Sequence, residues 1–260
     1  MLSLAAIRSR APGWLAMAQR EIGPIAIVLL VGACLLIFRH IAEEVGEGDT
    51  RSFDRSIIYA LRTPGNLHRP IGPEWLNEAA MDFTSLGSVT LLAVLVIVVC
   101  GLFLSLRRWR EAALLFLAST GGLILTGWLK VLFQRDRPPL IMHAVPVINT
   151  SFPSGHAALS ATVYLTLGAL IAHFAQRRRV RIYALTTAVI LAIGVGCSRV
   201  YLGLHWPTDV MAGWCIGAAW ALVWWGVALV CERISHRRLR DAPAPNPLPR
   251  ADAGILSEGV

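Results

Sequence analysis

Long apolar runs, broken by short polar and basic stretches, dominate the chain from residue 22 to about residue 230. A helix that crosses the hydrocarbon core needs roughly 20 mostly apolar residues. Six segments reach or approach that length: Ile22–Phe38, Val89–Leu106, Ala112–Phe133, Ala157–Phe174, Ile182–Tyr201 and Asp209–Val230. The pattern predicts an all-α, polytopic membrane protein with six transmembrane helices in one domain, residues 22–232. The fourth and fifth segments carry Thr, Ser or Tyr, which suits helices that face other helices more than lipid. Between the first two spans, within residues 39–88, Phe53, Ile57, Ile58 and Leu61 recur at helical spacing among Asp54, Arg55 and Arg62. That spacing predicts a short helix, either lying on the membrane surface or packed as an ordinary loop helix. Residues 233–260, basic at first and rich in Pro and Ala from Asp241, are expected to form a disordered tail.

Composition agrees with the pattern. The 260 residues are 55% hydrophobic and 15% charged, whereas a soluble domain carries about 25% charged residues. Cys34, Cys100, Cys197, Cys215 and Cys231 lie in or at the ends of apolar segments without a CxxC pair, so small buried side chains are expected rather than disulfides or a metal site. The first span has a second reading as a signal peptide, because Val31-Gly32-Ala33-Cys34 loosely resembles a lipoprotein cleavage box. The run stays apolar to Phe38 and no small-residue cleavage site follows, so an uncleaved span is expected.

The net charge of +8 sits in short clusters between the spans, not along a nucleic-acid-binding stripe. Arg8, Arg10 and Arg20 precede the first span; Arg107, Arg108 and Arg110 follow the second; Arg177, Arg178, Arg179 and Arg181 follow the fourth; Arg233, Arg237, Arg238 and Arg240 follow the sixth. With six spans, all four clusters share one side. The positive-inside rule makes that side cytoplasmic, with both termini inside and residues 1–21 a cytoplasmic N-terminus. Residues 39–88 then lie on the opposite side, with five arginines against eight acids.

The other two outward loops concentrate polar residues of another kind. One holds Lys130, Arg135, Asp136, Arg137 and Pro138, then Ser151-Phe152-Pro153-Ser154-Gly155-His156; the other holds Ser198, Arg199, His205 and Asp209. Lys130, Arg137 and Arg199 bring three cations to a side that is otherwise not basic, and Lys130 is the single lysine among 24 basic residues. Arginine holds phosphate oxygens in a two-pronged grip and lysine supplies a compact charge. Ser154-Gly155-His156 opens an apolar helix whose N-terminal amides can cradle an anion. His205 and Asp209 are four apart, so the carboxylate can take a hydrogen bond from one ring nitrogen and leave the other free to attack. His156 is a second imidazole, suited to protonate a leaving oxygen. Each feature has a bland counterpart: a snorkelling arginine, a satisfied histidine, an ordinary Ser cap, a helix-ending proline. Their convergence on one side favours a phosphate site. His156, His205, Asp209 and Asp136 could instead hold a divalent ion, but three nearby cations would repel it, so no metal or other cofactor is expected.

These residues resemble the type 2 phosphatidic acid phosphatase (PAP2, lipid phosphate phosphatase) superfamily, in its bacterial integral-membrane branch. The superfamily pattern is Lys, six residues, Arg-Pro; then Pro-Ser-Gly-His; then Ser-Arg, five residues, His, three residues, Asp. Lys130 to Arg137-Pro138, Pro153 to His156, and Ser198-Arg199 to His205 and Asp209 match at every fixed position. The resemblance implies a metal-free membrane lipid phosphatase. In it His205 attacks phosphorus and becomes phosphohistidine, Asp209 orients it and His156 protonates the leaving group, while Lys130, Arg137, Ser154, Gly155 and Arg199 hold the phosphate. Implied substrates are lipid phosphates or diphosphates such as undecaprenyl diphosphate, phosphatidylglycerol phosphate, phosphatidate or a lipid A phosphate, met at the periplasmic face of the inner membrane. Two alternatives remain: a lipid-to-lipid phosphotransferase with the same site, and a non-catalytic transporter or scaffold on the same fold. Asp82-Phe83-Thr84-Ser85-Leu86-Gly87 also looks similar to a stretch of bacterial members; a capping and packing role is expected of it.

Overall fold

The protein is described by a computed structural model over residues 13–139 and 150–240, with side chains over 23–139 and 150–235. The Pro- and Ala-rich stretch from Asp241 lies outside the described residues. Each apolar run becomes a helix. In chain order these are α1 (Gly13–Glu47), α4 (Val89–Ser105), α5 (Trp109–Phe133), α6 (Gly155–Phe174), α7 (Arg178–Tyr201) and α8 (Pro207–Arg240). Between α1 and α4 lie α2 (Arg51–Ala60), a small hairpin of β1 (Arg62–Thr63) and β2 (Asn66–Pro70), and α3 (Glu74–Ser85).

Five helices are long and apolar enough to cross a membrane on their own. A sixth candidate crossing is the bent pair of α3 and α4, in which α4, 17 residues long, meets α3 across a 50° bend. Three ends differ most from the expected ones. α1 starts at Gly13, before Ile22, and runs to Glu47, past Phe38; α8 runs to Arg240, so 233–240 is helical where a tail was expected. The reason is the same in all three: hydropathy marks where lipid ends, whereas a helix ends where its backbone bonding stops. No glycine or proline interrupts α8 between Gly226 and Pro243.

α6 is the central helix and packs on α4, α5, α7 and α8, while α1 lies along α8. Its contact with α8 is unusually close. A Cβ on Gly213 would stand 2.7 Å from the Ser154 carbonyl oxygen, and one on Gly217 would stand 2.3 Å from that of Ala158. This Gly-xxx-Gly stripe lets two backbones meet where lipid supplies no hydrophobic drive between helices. Trp214 Nε1 donates to Ala192 O (2.9 Å) and Trp220 Nε1 to Ala118 O (2.8 Å), pinning α8 to α7 and α5.

The two ends of the bundle differ. At one, the Arg108 guanidinium lies 4.2 Å from the centre of the Phe174 ring and Arg181 Nε donates to Ala175 O at 2.9 Å, so the basic loops after α4 and α6 share that end. At the other, Phe38, Phe133 and fully buried Phe152 stack together beneath the loop leading to α6. Residues 39–88 cover this second end. Thr63-Pro64-Gly65-Asn66 makes the hairpin turn, with Thr63 paired to Asn66; neither the hairpin nor α3 was expected. Arg62 Nη1 donates to Tyr201 O at 2.8 Å, and Tyr201 Oη to Ile71 O at 2.7 Å, tying the hairpin to the end of α7. α2 matches the predicted short helix. Its inward face consists of Asp54 and Ile58, both 0% exposed, while Phe53 is exposed, so α2 packs on the bundle through that face.

Candidate active site

The end of α7 and the start of α8 set the geometry. α7 stops at Tyr201, and Gly203 follows with φ 72°, the left-handed conformation that ends helices most cheaply in glycine. The turn delivers His205 immediately before α8. Pro207 then occupies the first helical position, where its missing N–H costs nothing. Asp209, in the first turn, reaches back so that Oδ2 accepts from the Trp206 amide at 3.0 Å, the acidic half of a capping box. His205 and Asp209 thus meet across a helix start, not along one helix face.

The Asp209 carboxylate is fully buried and fully used. Oδ2 accepts a short hydrogen bond from Ser151 Oγ and lies 3.4 Å from His205 Nδ1; Oδ1 accepts from Arg135 Nη1 at 2.6 Å. With Nδ1–H turned toward Asp209, the lone pair sits on His205 Nε2. That nitrogen faces Arg137 Nη1 at 3.1 Å. His205 is 1% exposed. Burial, together with Arg137, Arg199, Lys130 and His156 around it, holds its pKa well below the ordinary value, so the ring is neutral. Burial also lowers the pKa of Arg137, with Asp209 opposing.

Facing Nε2 is a cationic cradle. Lys130, in the last turn of α5, donates to Thr150 O at 2.7 Å, and its Cε lies 3.6 Å from where a Cβ on Gly155 would be. Arg137 also donates to Leu204 O, at 2.5 Å. Arg199, in the last turn of α7 and 6% exposed, donates through Nη1 to Thr84 Oγ1 at 3.2 Å. Its Nε is buried without a partner among the described residues, and so is Ser154 Oγ. Ser154 precedes the first residue of α6, yet its side chain does not cap the helix. The ordinary-cap reading therefore fails, and the hydroxyl is buried at the start of α6 with no partner among the described residues. His156 follows in the first turn, with a Cβ built on Gly87 only 3.3 Å from its side chain.

All eight residues singled out in the sequence meet at this one end: His205, His156, Asp209, Lys130, Arg137, Ser154, Gly155 and Arg199. Sequence reasoning assigned no part to Ser151, Arg135, Thr84, Asp54 or Thr208. Thr84 belongs to the stretch expected to pack; it does so, with Tyr164 Oη donating to Leu86 O at 2.8 Å, and it also holds Arg199. Of the residues weighed as metal ligands, Asp209 is bound by Arg135 and Ser151, and Asp136 offers its carbonyl to Trp206 Nε1. No group of three or more His, Cys, Asp and Glu able to hold a metal occurs among the described residues.

Fold and site together describe a multi-span helical membrane protein in which Arg137, Arg199 and Lys130 surround a buried histidine that lies 3.4 Å from a buried carboxylate. The profile of the PAP2 superfamily matches residues 111–231. Phosphatidylglycerophosphatase B of Bacillus subtilis is 36% identical over 150 residues, covering 55% of this chain and 70% of that protein. Undecaprenyl-diphosphatase of Sulfolobus acidocaldarius is 35% identical over 86 residues, 33% of this chain and 37% of its own length. Among solved structures, a transmembrane PAP2-type phosphatidylglycerolphosphate phosphatase from Bacillus subtilis superimposes with a TM-score of 0.70 at 29% identity, covering 78% of this chain and 98% of that one. The chain belongs to the PAP2 superfamily.

Proposed function

We propose that the protein is a lipid phosphatase that hydrolyses a phosphate or diphosphate monoester of a lipid through a phosphohistidine on His205, without a metal. The observation that carries this reading is a pair of buried polar atoms without partners among the described residues, Ser154 Oγ and Arg199 Nε. They stand in a cradle with Lys130, Arg137 and the α6 amides. A buried donor left unpaired costs about 1–3 kcal/mol, and a phosphate seated there would satisfy both.

Arg137 turns from Nε2 to an equatorial oxygen, and Nε2 attacks phosphorus. Asp209 holds the ring and balances its developing charge, and His156 gives a proton to the departing lipid oxygen. Water then attacks the phosphohistidine with His156 as base, releasing inorganic phosphate and restoring both imidazoles. Lys130, Arg137 and Arg199 stabilise charge that grows on the phosphoryl oxygens, which is the task a metal performs elsewhere.

The tail of the substrate has a place beside the site. An apolar groove of about 180 Å³ between α4 and α5 is lined by Leu159 and Val163, one and two turns along α6 from His156. The arginine clusters at the far end of the bundle support cytoplasmic termini and a site at the periplasmic face of a bacterial inner membrane.

Purified protein in detergent should release phosphate from at least one of phosphatidylglycerol phosphate, undecaprenyl diphosphate, phosphatidate and a lipid A phosphate, equally with and without EDTA. Release from none of them contradicts the reading. A labelled donor offered with lipid A separates hydrolysis from transfer, since transfer would move the label to lipid instead of inorganic phosphate.

A further inference from the structure

Asp54 lies on α2, in the segment that covers the site, far in sequence from every residue of the cradle. It is 0% exposed on a short helix with a largely exposed surface. A buried carboxylate needs a strong reason to be there, and Asp54 has two. Its Oδ2 accepts from Arg135 Nη2 at 2.7 Å. Its Oδ1 accepts from the Thr208 amide at 3.0 Å, and Oδ2 also from Thr208 Oγ1 at 2.7 Å. Thr208 is the second residue of α8, so Asp54 caps from another helix the element that carries Asp209. Arg135 is shared, with Nη1 on Asp209 and Nη2 on Asp54.

We infer that Asp54 is a positioning residue for the reaction, acting through Arg135 and the start of α8 to fix the carboxylate that orients His205. This rests on the reading of His205 as nucleophile. Arg135 is a single cation between two buried carboxylates. Without the charge of Asp54 it shifts its full attraction to Asp209, drawing that carboxylate away from Nδ1. Loss of the Thr208 amide bond loosens the helix start at the same moment. Both effects disturb ring orientation, which matters when the transition state forms, and neither touches the cations that bind the phosphate. The chain distance, 81 residues to Arg135 and 154 to Thr208, makes α2 part of the catalytic assembly and not merely a cover.

The test is steady-state kinetics on a lipid phosphate substrate. Asp54→Asn should lower kcat on the order of tenfold to a hundredfold, as expected for one charge-assisted hydrogen bond, with KM changed less than about threefold. If Asp54 acts through Arg135, adding Arg135→Met to Asp54→Asn should cost much less than Arg135→Met does alone. Ile58→Ala, one turn along the same buried face, should lower thermal stability and leave kcat intact, separating docking of α2 from the role of Asp54. If Asp54→Asn gives too little folded protein, Asp54→Glu, which keeps the charge, is read by the same split, with a smaller fall in kcat. Wild-type kcat in the folded variant, or losses that simply add, overturns the inference. His205→Ala is the control: if it stays active, the proposed function itself has failed, whereas an inactive His205→Ala beside a fully active Asp54→Asn sinks only this inference.

Discussion

Lys130 occupies the position where one charge does most. It reaches the cradle from the last turn of α5, packs over Gly155 at the start of α6, and among the described residues donates to a carbonyl, Thr150 O, with no ion pair. It therefore has a compact charge to give to a phosphate without breaking an ion pair. Lys130→Met removes that charge while keeping the apolar stem. It should lower kcat/KM by about 2–4 kcal/mol in transition-state terms, as for loss of one electrostatic contact, measured by phosphate release from the best lipid substrate; an unchanged kcat/KM would misplace the phosphate. The cradle was legible in the sequence because its residues fall in three short motifs of fixed spacing beside the apolar runs, most of them in the first or last turn of a helix. Lys130 and Arg199 close helices, Ser154 and Gly155 open one, and His205 and Asp209 straddle another opening. Asp54, Arg135 and Thr208 were not legible as a unit. Their bonds join positions 81 and 154 residues apart, and no local period encodes such a meeting. The one signal was Asp54 itself, an acid four residues before Ile58 on the inward face of an amphipathic helix.

At the level of elements, the site is held by the contact of α6 with α8. The Ser154 amide donates to Asp209 O at 2.9 Å, so the start of the cradle helix is bonded to the start of the helix bearing Asp209. Gly213 and Gly217 make that approach possible. Gly217→Leu would put a Cβ 2.3 Å from the Ala158 carbonyl oxygen, a backbone atom that cannot swing aside. The two helices would have to separate, at a cost above the roughly 1–3 kcal/mol typical of overpacking. Unfolding in mixed detergent should show a large loss of stability accompanied by loss of activity. Gly127→Ala, where a Cβ meets nothing within 4 Å, should be neutral or slightly stabilising; equal effects from the two would contradict the close-packing account. The hairpin and α3 escaped the sequence reading for a related reason. β1 has two residues and β2 five, too short for a period, and they are stabilised by Arg62 and Tyr201 reaching between segments more than a hundred residues apart.

Across the whole molecule, charge is divided between the two ends. Arg108 and Arg181 mark the end with the arginine-rich loops, and the cradle occupies the other. On the proposed reading this separation would let one chain use arginine for two purposes: orientation in the membrane and recognition of an anion. A fluorescent reporter that matures only in the cytoplasm should light up when fused after Val260 and stay dark when inserted after Gly65 in the exposed hairpin turn. The reverse pattern would put the site on the cytoplasmic side. Five crossings were readable from apolar length, and the second of the six expected spans appears as the bent pair of α3 and α4, a bend that hydropathy could not show.

In the proposed reaction His205 becomes covalently phosphorylated. Rapid quenching of the protein with a lipid substrate labelled in its phosphate tests this directly. The account predicts a protein-bound label that survives alkali and is lost in mild acid, as a phosphoramidate should be, present in the wild-type chain, accumulating in His156→Ala if the second step is slowed, and absent in His205→Ala. Label retained by His205→Ala, or phosphate release with no labelled intermediate at any time, would contradict it.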